Sequence, residues 1–290
     1  MKHRAALKLA GYSFVILFLE LSLIRYVSGY VRVFGFYLNF VLIATFLGMG
    51  VGLLRAKQAD AIKWLLIPLT LALLIAVKVF ANVVVEAPPG STEFIWGVYL
   101  DVPDTVRRVG VLPVVLLLFT LCTGVFIPLG ALLGREFAKF PPLTAYSIDI
   151  AGSVTGILAF ALMSNLNSVP WVWFAVGFGV LVAVSLDEIR FATGSAIVGV
   201  AAMALAMSTA GPSPEYWSPY YRINVFRLEN RYSINVNGSA HQSAVDLDPT
   251  RALTDPIVMG IRADFRNPFQ YITRRDTVLV VGAGTGNDLA

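Results

Sequence analysis

Apolar positions dominate the first two thirds of the chain, in runs too long for strands and too continuous for amphipathic surface helices. Seven windows qualify: 9–27, 34–54, 64–85, 111–134, 145–164, 170–186 and 191–210. About 20 mostly apolar residues span the hydrocarbon core as a helix. Lipid offers no partner for a free backbone amide, so every window is expected to be helical. Only Asp187-Glu-Ile-Arg190 separates the last two. After Ala210 the pattern changes. Gly211-Pro-Ser-Pro214 breaks the helix, and residues 221–228 and 231–236 alternate apolar and polar with period two. With Asn237-Gly238 behind them, they predict a β-hairpin followed by a second tight turn. Residues 246–275 predict a helix with irregular flanks. Thr277-Val-Leu-Val-Val281 predicts a buried strand running into Gly282-Ala-Gly-Thr-Gly286.

Composition supports a lipid solvent. The hydrophobic fraction is 57% and the charged fraction 14%, with mean hydropathy +0.73; soluble domains run near ~45–50% and ~25%. The net charge of +4 does not read as nucleic-acid binding, because many of the cations flank apolar runs, where they serve topology. The single cysteine, Cys122, excludes an intrachain disulfide and a cysteine-based metal site. The basic N-terminus before an apolar run resembles a signal peptide. That run is long, however, carries Glu20 and Arg25, and is followed by no small-x-small cleavage site, so an uncleaved first helix is expected. The chain is thus expected to be an integral membrane protein, with the lipid bilayer as its main partner.

Charge also bears on orientation. A cytoplasmic N-terminus gathers Lys2, Arg4, Lys8, Arg55, Lys57, Lys63, Arg135, Lys139 and Arg190 on the cytoplasmic side, against Arg25, Arg32, Arg107 and Arg108 opposite. The positive-inside tendency favours this arrangement. Seven spans then leave the C-terminal segment outside, away from any cytoplasmic cofactor, so either a span is miscounted, the orientation is inverted, or the soluble part is not a cofactor enzyme.

Ionisable groups inside spans are costly and are functional candidates by default. Four lie within or near the windows: Glu20, Arg25, Lys78 and Asp149. Glu20 and Arg25 are five apart, about 140° round a helix, and are not expected to pair with each other. Lys78–Asp149 is a candidate pair across helices. Satisfied interhelical contacts and snorkelling are the structural alternative. The glycines Gly48, Gly50, Gly52, Gly130, Gly134, Gly152 and Gly156 read as close-packing sites between helices. The longest polar connection, 86–108, contains the amphipathic Phe94–Leu100 stretch, whose Trp96 and Tyr99 suit the membrane interface.

The clearest chemical motif is Thr277–Asp288, TVLVVGAGTGND. Glycine lets a backbone turn sharply and approach a ligand with no Cβ in the way, and a following helix would aim its first amides at that ligand. The spacing is G-x-G-x-G rather than the dinucleotide G-x-G-x-x-G. It suits an S-adenosylmethionine-type fold, with a plain glycine-rich turn as the alternative.

Around it the residues resemble a family. Trp217-Ser-Pro-Tyr-Tyr-Arg-Ile223, the hairpin, Asn237-Gly238 with His241-Gln242, and GAGTGND follow the order of a spermidine synthase-type domain. Leu19-Glu-Leu-Ser-Leu-Ile-Arg25 and Tyr146-Ser-Ile-Asp-Ile-Ala-Gly-Ser153 are similar to the multispanning region fused to such domains. The whole resembles the membrane-bound spermidine synthase-like proteins. The resemblance implies a transferase of polyamine biosynthesis using S-adenosylmethionine or its decarboxylated form. It implies cofactor contacts at Gly282, Gly284, Thr285 and Gly286, and a small amine acceptor near Gln242. Three departures stand out. Thr285 holds the place of the family's aspartate, Ala244-Val-Asp-Leu-Asp248 replaces its Asp-Glu-x-x-Tyr-His stretch, and Gln242 lies one residue further from its glycine than the family's spacing.

The expected architecture has three parts. They are an all-α transmembrane bundle of seven helices (1–210), a β-hairpin subdomain (211–245), and the first strand and glycine loop of a Rossmann-like α/β domain (246–290). A doubly wound sheet needs several βα units, so the sequence is expected to be a truncated fragment. A second function class is a transporter-like module with a regulatory soluble part, in which Glu20, Lys78 and Asp149 line a path.

Overall fold

A computed structural model describes residues 2–81, 83–86, 108–211, 213–228, 231–247, 256–267, 270–271, 279, 284–285 and 287. The helices are α1 Lys2–Tyr30, α2 Arg32–Phe36, α3 Leu38–Leu54, α4 Ala59–Ile62, α5 Leu66–Phe80, α6 Val111–Phe137, α7 Pro142–Asn165, α8 Pro170–Val184, α9 Ile189–Thr209 and α10 Pro256–Arg266. The strands are β1 Val84–Glu86, β2 Arg108–Gly110, β3 Glu215–Trp217, β4 Arg222–Arg227, β5 Arg231–Val236 and β6 Ser239–Val245.

All seven apolar windows contain a helix, with corrected boundaries. The second is broken at Tyr37, whose φ of −123° and ψ of 53° interrupt the helix between α2 and α3. The third opens in short helical turns over 56–65, and α5 stops at Phe80 because the chain then turns into β1. Five helices are long and apolar enough to cross a membrane: His3–Tyr30, Ala56–Phe80, Val111–Phe137, Pro142–Asn165 and Ile189–Thr209. The apolar helices Asn39–Leu54 and Pro170–Val184 are shorter. At 1.5 Å per residue they reach roughly 24 Å, against a hydrocarbon core of roughly 30 Å.

Helix α1 is central. Tyr12, Val15, Ile16, Phe18, Tyr26 and Val27 on it are fully buried. It runs parallel to α7, with Gly152 on Ala10 and Gly156 on Phe14. A Cβ at Gly152 would lie 2.3 Å from the Ala10 carbonyl oxygen, so only glycine permits this approach. A second parallel pair, α3 with α6, is closed in the same way: a Cβ at Gly52 would lie 2.2 Å from the Ile127 carbonyl. Small residues of this kind let helix backbones meet where packing drives association. Gly50 faces open space and takes no part. The outer surfaces keep large apolar side chains exposed, among them Leu116, Leu158, Leu162, Ile197 and Val200.

The two ends of the bundle differ. At one end the start of α1, the α4–α5 region, the end of α6 and the α8–α9 turn are joined by Lys8–Asp187 (2.5 Å), Arg135–Asp60 (2.7 Å) and Lys63–Glu188. At the other, the end of α1 meets an antiparallel sheet of order β3-β4-β5-β6. The predicted hairpin is β4–β5, with Val225 opposite Ile234. Asn237 (φ 48°) and Gly238 (φ 76°) have the paired positive φ values of a type I′ turn and lead into β6. The expected strand 277–281 lies outside the described residues apart from Leu279, which is exposed. Residues 87–107 and the glycines 282 and 286 also lie outside them.

Candidate functional site

Strand β6 carries the candidate acceptor residue. Along β5 and β6 the register runs Ile234↔Gln242 and then Asn235↔Ala240, so His241 is an extra residue bulged out of the ladder. A bulge bends its strand and re-aims the neighbouring side chain. The bulge falls between Gly238 and Gln242 and so sets where the Gln242 side chain leaves the strand. Gln242 is exposed and lies against Gly284, where a Cβ would meet its Nε2 at 2.9 Å and its Oε1 at 3.2 Å. Gly284 has φ +54°, the left-handed region that glycine adopts without strain.

The residues after Gly284 tie the loop to β6, the edge strand of the sheet. Asn287 Nδ2 donates to the Ser243 carbonyl at 2.6 Å, and the Val245 amide donates to Asn287 Oδ1 at 3.1 Å. Thr285 Oγ1 donates to the same Ser243 carbonyl at 3.4 Å. Asn287 thus pairs with the edge as a strand would, covering hydrogen-bonding groups that an edge otherwise leaves open. The structure therefore brings Gln242, Gly284 and Thr285 together across 42 residues of sequence.

The intramembrane candidates separate into different environments. Lys78 donates to Ser208 at 2.8 Å and Asp149 accepts from Ser13 at 2.6 Å, so the expected Lys78–Asp149 pair is not formed. The reason is geometric: α5 packs on α6 and α9, and α7 packs on α1. Glu20 is buried and accepts from Thr45 at 3.1 Å. Glu20 and Arg25 do not pair, as their angular separation predicts. Arg25 instead joins bundle to sheet. Its guanidinium donates to Ser164 of α7 and to the Ser218 carbonyl at 2.5 Å. It lies 5.1 Å from the Trp173 ring centroid and 5.5 Å from that of Trp217, within cation–π range of both.

Two clusters were not visible in the sequence. Glu215 accepts from Tyr30 at 2.8 Å and from Trp217 Nε1 at 2.5 Å, and sits 2.9 Å from Arg222 Nε. Arg222 in turn covers the Tyr30 ring and donates to the Gly29 carbonyl at 3.1 Å. At the opposite end, Arg135 bridges Asp60 and Glu188, which also hold Lys63. Burial alone would raise the Asp187 carboxyl, but the hydrogen bond and charge of Lys8 outweigh it and hold Asp187 below the ordinary aspartate range. Glu188 is held low against the same burial effect by Lys63 and Arg135. Apart from the Asp60–Lys63 spacing, no sequence pattern signals either cluster, because the partners lie on elements distant in sequence. Among the described residues no group of His, Cys, Asp and Glu could hold a metal ion.

No family model matches the sequence, and neither a curated protein nor a solved structure matches it.

Proposed function

We propose that the chain is an integral membrane protein whose helical bundle carries a spermidine synthase-like transferase site on one end. The contact of Gln242 with Gly284 carries this reading. It sets an amide side chain beside a glycine turn with open backbone, as an amine acceptor facing a sulfonium donor requires. The exposed apolar belt and the five long helices support the membrane part. S-adenosylmethionine or its decarboxylated form would supply an alkyl carbon activated by positively charged sulfur. Gly284, in the left-handed region, would bring its backbone to such a donor beside Gln242, Thr285 and Asn287 fix the loop on β6, and Gln242 would orient a small amine. The test is transfer of a labelled aminopropyl group from decarboxylated S-adenosylmethionine to a small diamine by membranes containing the protein. Gln242→Ala should reduce the transfer at least tenfold, since a charge-assisted hydrogen bond is worth roughly 1.5–3 kcal/mol. No transfer by the unaltered protein with any small amine refutes the reading.

The distribution of cations favours a second reading. The end opposite the sheet holds Lys8, Lys63, Arg135 and Lys139, and the positive-inside tendency assigns that end to the cytoplasm. The sheet would then face away from a cytoplasmic donor, and the bundle would act as a transporter-like module with a regulatory soluble part. Labelling of the sheet from the cytoplasmic side alone favours the transferase; labelling from the opposite side alone favours the transporter.

A further inference from the structure

Between the two glycine-closed helix pairs, α1–α7 and α3–α6, near the cation-rich end, the bundle holds a cavity of about 630 Å³. That volume falls within the range of small-molecule sites, roughly 300–1,000 Å³. Its walls are largely apolar, with Ile16, Leu17, Met49, Leu53, Leu133 and Phe137 contributing. Three polar side chains face it: Ser13, Asp149 and Ser153.

Asp149 is the unusual member. Its carboxylate accepts from Ser13 Oγ at 2.6 Å, but the same hydroxyl also lies 2.9 Å from the Leu9 carbonyl. A hydroxyl has one proton to give, so the carboxylate receives at best a shared hydrogen bond. Four cations of this end are engaged with other carboxylates: Lys8 with Asp187, Lys63 and Arg135 with Glu188, and Lys139 with Glu136. Among the described residues, none of them pairs with Asp149. A carboxylate facing an apolar cavity without a counter-ion is complementary to a cation that brings its own apolar body. Ligand sites of this type combine apolar walls with a few polar groups that fix orientation.

We propose that this cavity binds a lipophilic ammonium, a protonated amine on an apolar chain, with its charge on Asp149 and its chain along α1 and α3. The ammonium can come from a free alkylamine or from the headgroup of an aminophospholipid. The site is separate from the sheet and needs only the helical bundle, so it stands or falls apart from the transferase reading.

The test is calorimetric titration of the full chain in maltoside micelles with octylammonium and, in parallel, with octanol. The unaltered protein is expected to bind octylammonium roughly tenfold or more tightly than octanol, the scale of one charge-assisted hydrogen bond. Asp149→Asn should erase that preference while leaving octanol binding and the thermal midpoint unchanged. Leu53→Trp, which narrows the cavity from its α3 wall, should weaken binding of both, and it carries the test should Asp149→Asn fail to fold. Adding phosphatidylethanolamine distinguishes the sources: competition identifies the headgroup, and undiminished octylammonium binding identifies the free amine. Equal binding of octylammonium and octanol, a preference that survives Asp149→Asn, or binding of both unchanged in Leu53→Trp overturns the proposal.

Discussion

Replacing Arg25 by alanine should release the sheet from the bundle while leaving the bundle folded. The side chain makes two hydrogen bonds, to Ser164 and to the Ser218 carbonyl, and lies over the rings of Trp173 and Trp217. Hydrogen bonds to a charged group are worth about 1.5–3 kcal/mol each, and an exposed cation–π contact about 0.5–1 kcal/mol. The Tyr30–Glu215–Arg222 cluster would survive and offset part of the loss. Some hydrogen bonding is also regained by water, because Arg25 itself is only partly buried. A net loss of about 3–5 kcal/mol in docking follows, which at 1.4 kcal/mol per tenfold is a factor of roughly 10² to 4 × 10³ in the opening equilibrium. Hydrogen exchange reads such local openings directly. In micelles, amides of the β3–β4 ladder should exchange at least about a hundredfold faster in Arg25→Ala, while those in the middle of α1 and α7 keep their protection. Arg25→Lys keeps the charge but not the planar fork, and should fall between. Unchanged exchange in β3 and β4 would refute the idea that Arg25 fastens the sheet.

Three further outcomes follow. Gly152→Leu forces atoms into the Ala10 carbonyl, where a Cβ alone would lie 2.3 Å away; the thermal midpoint in micelles should fall by the equivalent of about 1–3 kcal/mol, and an unchanged midpoint would disprove the close approach of α1 and α7. Asp187 and Glu188 have depressed folded pKa values, so the stability they contribute is fully present above the ordinary carboxylate range of about 4 and is lost as pH falls through their folded values. Scanning fluorimetry should show a flat midpoint at neutral pH and a decline in acid that is shallower in Glu188→Gln; equal slopes would remove Glu188 from the account. Because the sheet and the α4–α5 region occupy opposite ends of the bundle, Ser239→Cys and Lys57→Cys should react with an impermeant maleimide from opposite sides, against a silent background from the buried Cys122; labelling of both from one side would contradict the arrangement.

Element positions were legible in the sequence where one local rule decides them. A run of about 20 apolar residues has one backbone solution in lipid, and all seven windows hold helices. Asn237-Gly238 has one favoured turn, and the pairing of Val236 with Ser239 across it follows. Lost from view was whatever depends on which helices are neighbours. Arg25 reaches partners 139 and 193 residues away, and no periodicity records that. The Lys78–Asp149 pairing failed for the same reason: both charges were visible, but the packing of α7 on α1 was not. At the candidate site, Gln242 and the glycine turn could be named from their order along the chain. The bulge at His241, which sets where the Gln242 side chain leaves the strand, could not, since a bulge is a property of two paired strands.

The account's central claim is that the glycine turn against Gln242 forms one wall of a sulfonium-donor site. Direct titration of the full chain in micelles with S-adenosylmethionine and with its decarboxylated form tests it most simply. Saturable binding of at least one is expected. Gly284→Val should weaken it tenfold or more, because a side chain there is strained at φ +54° and meets the Gln242 amide at 2.9 Å. Absence of binding by either compound, or binding indifferent to Gly284→Val, would contradict the claim.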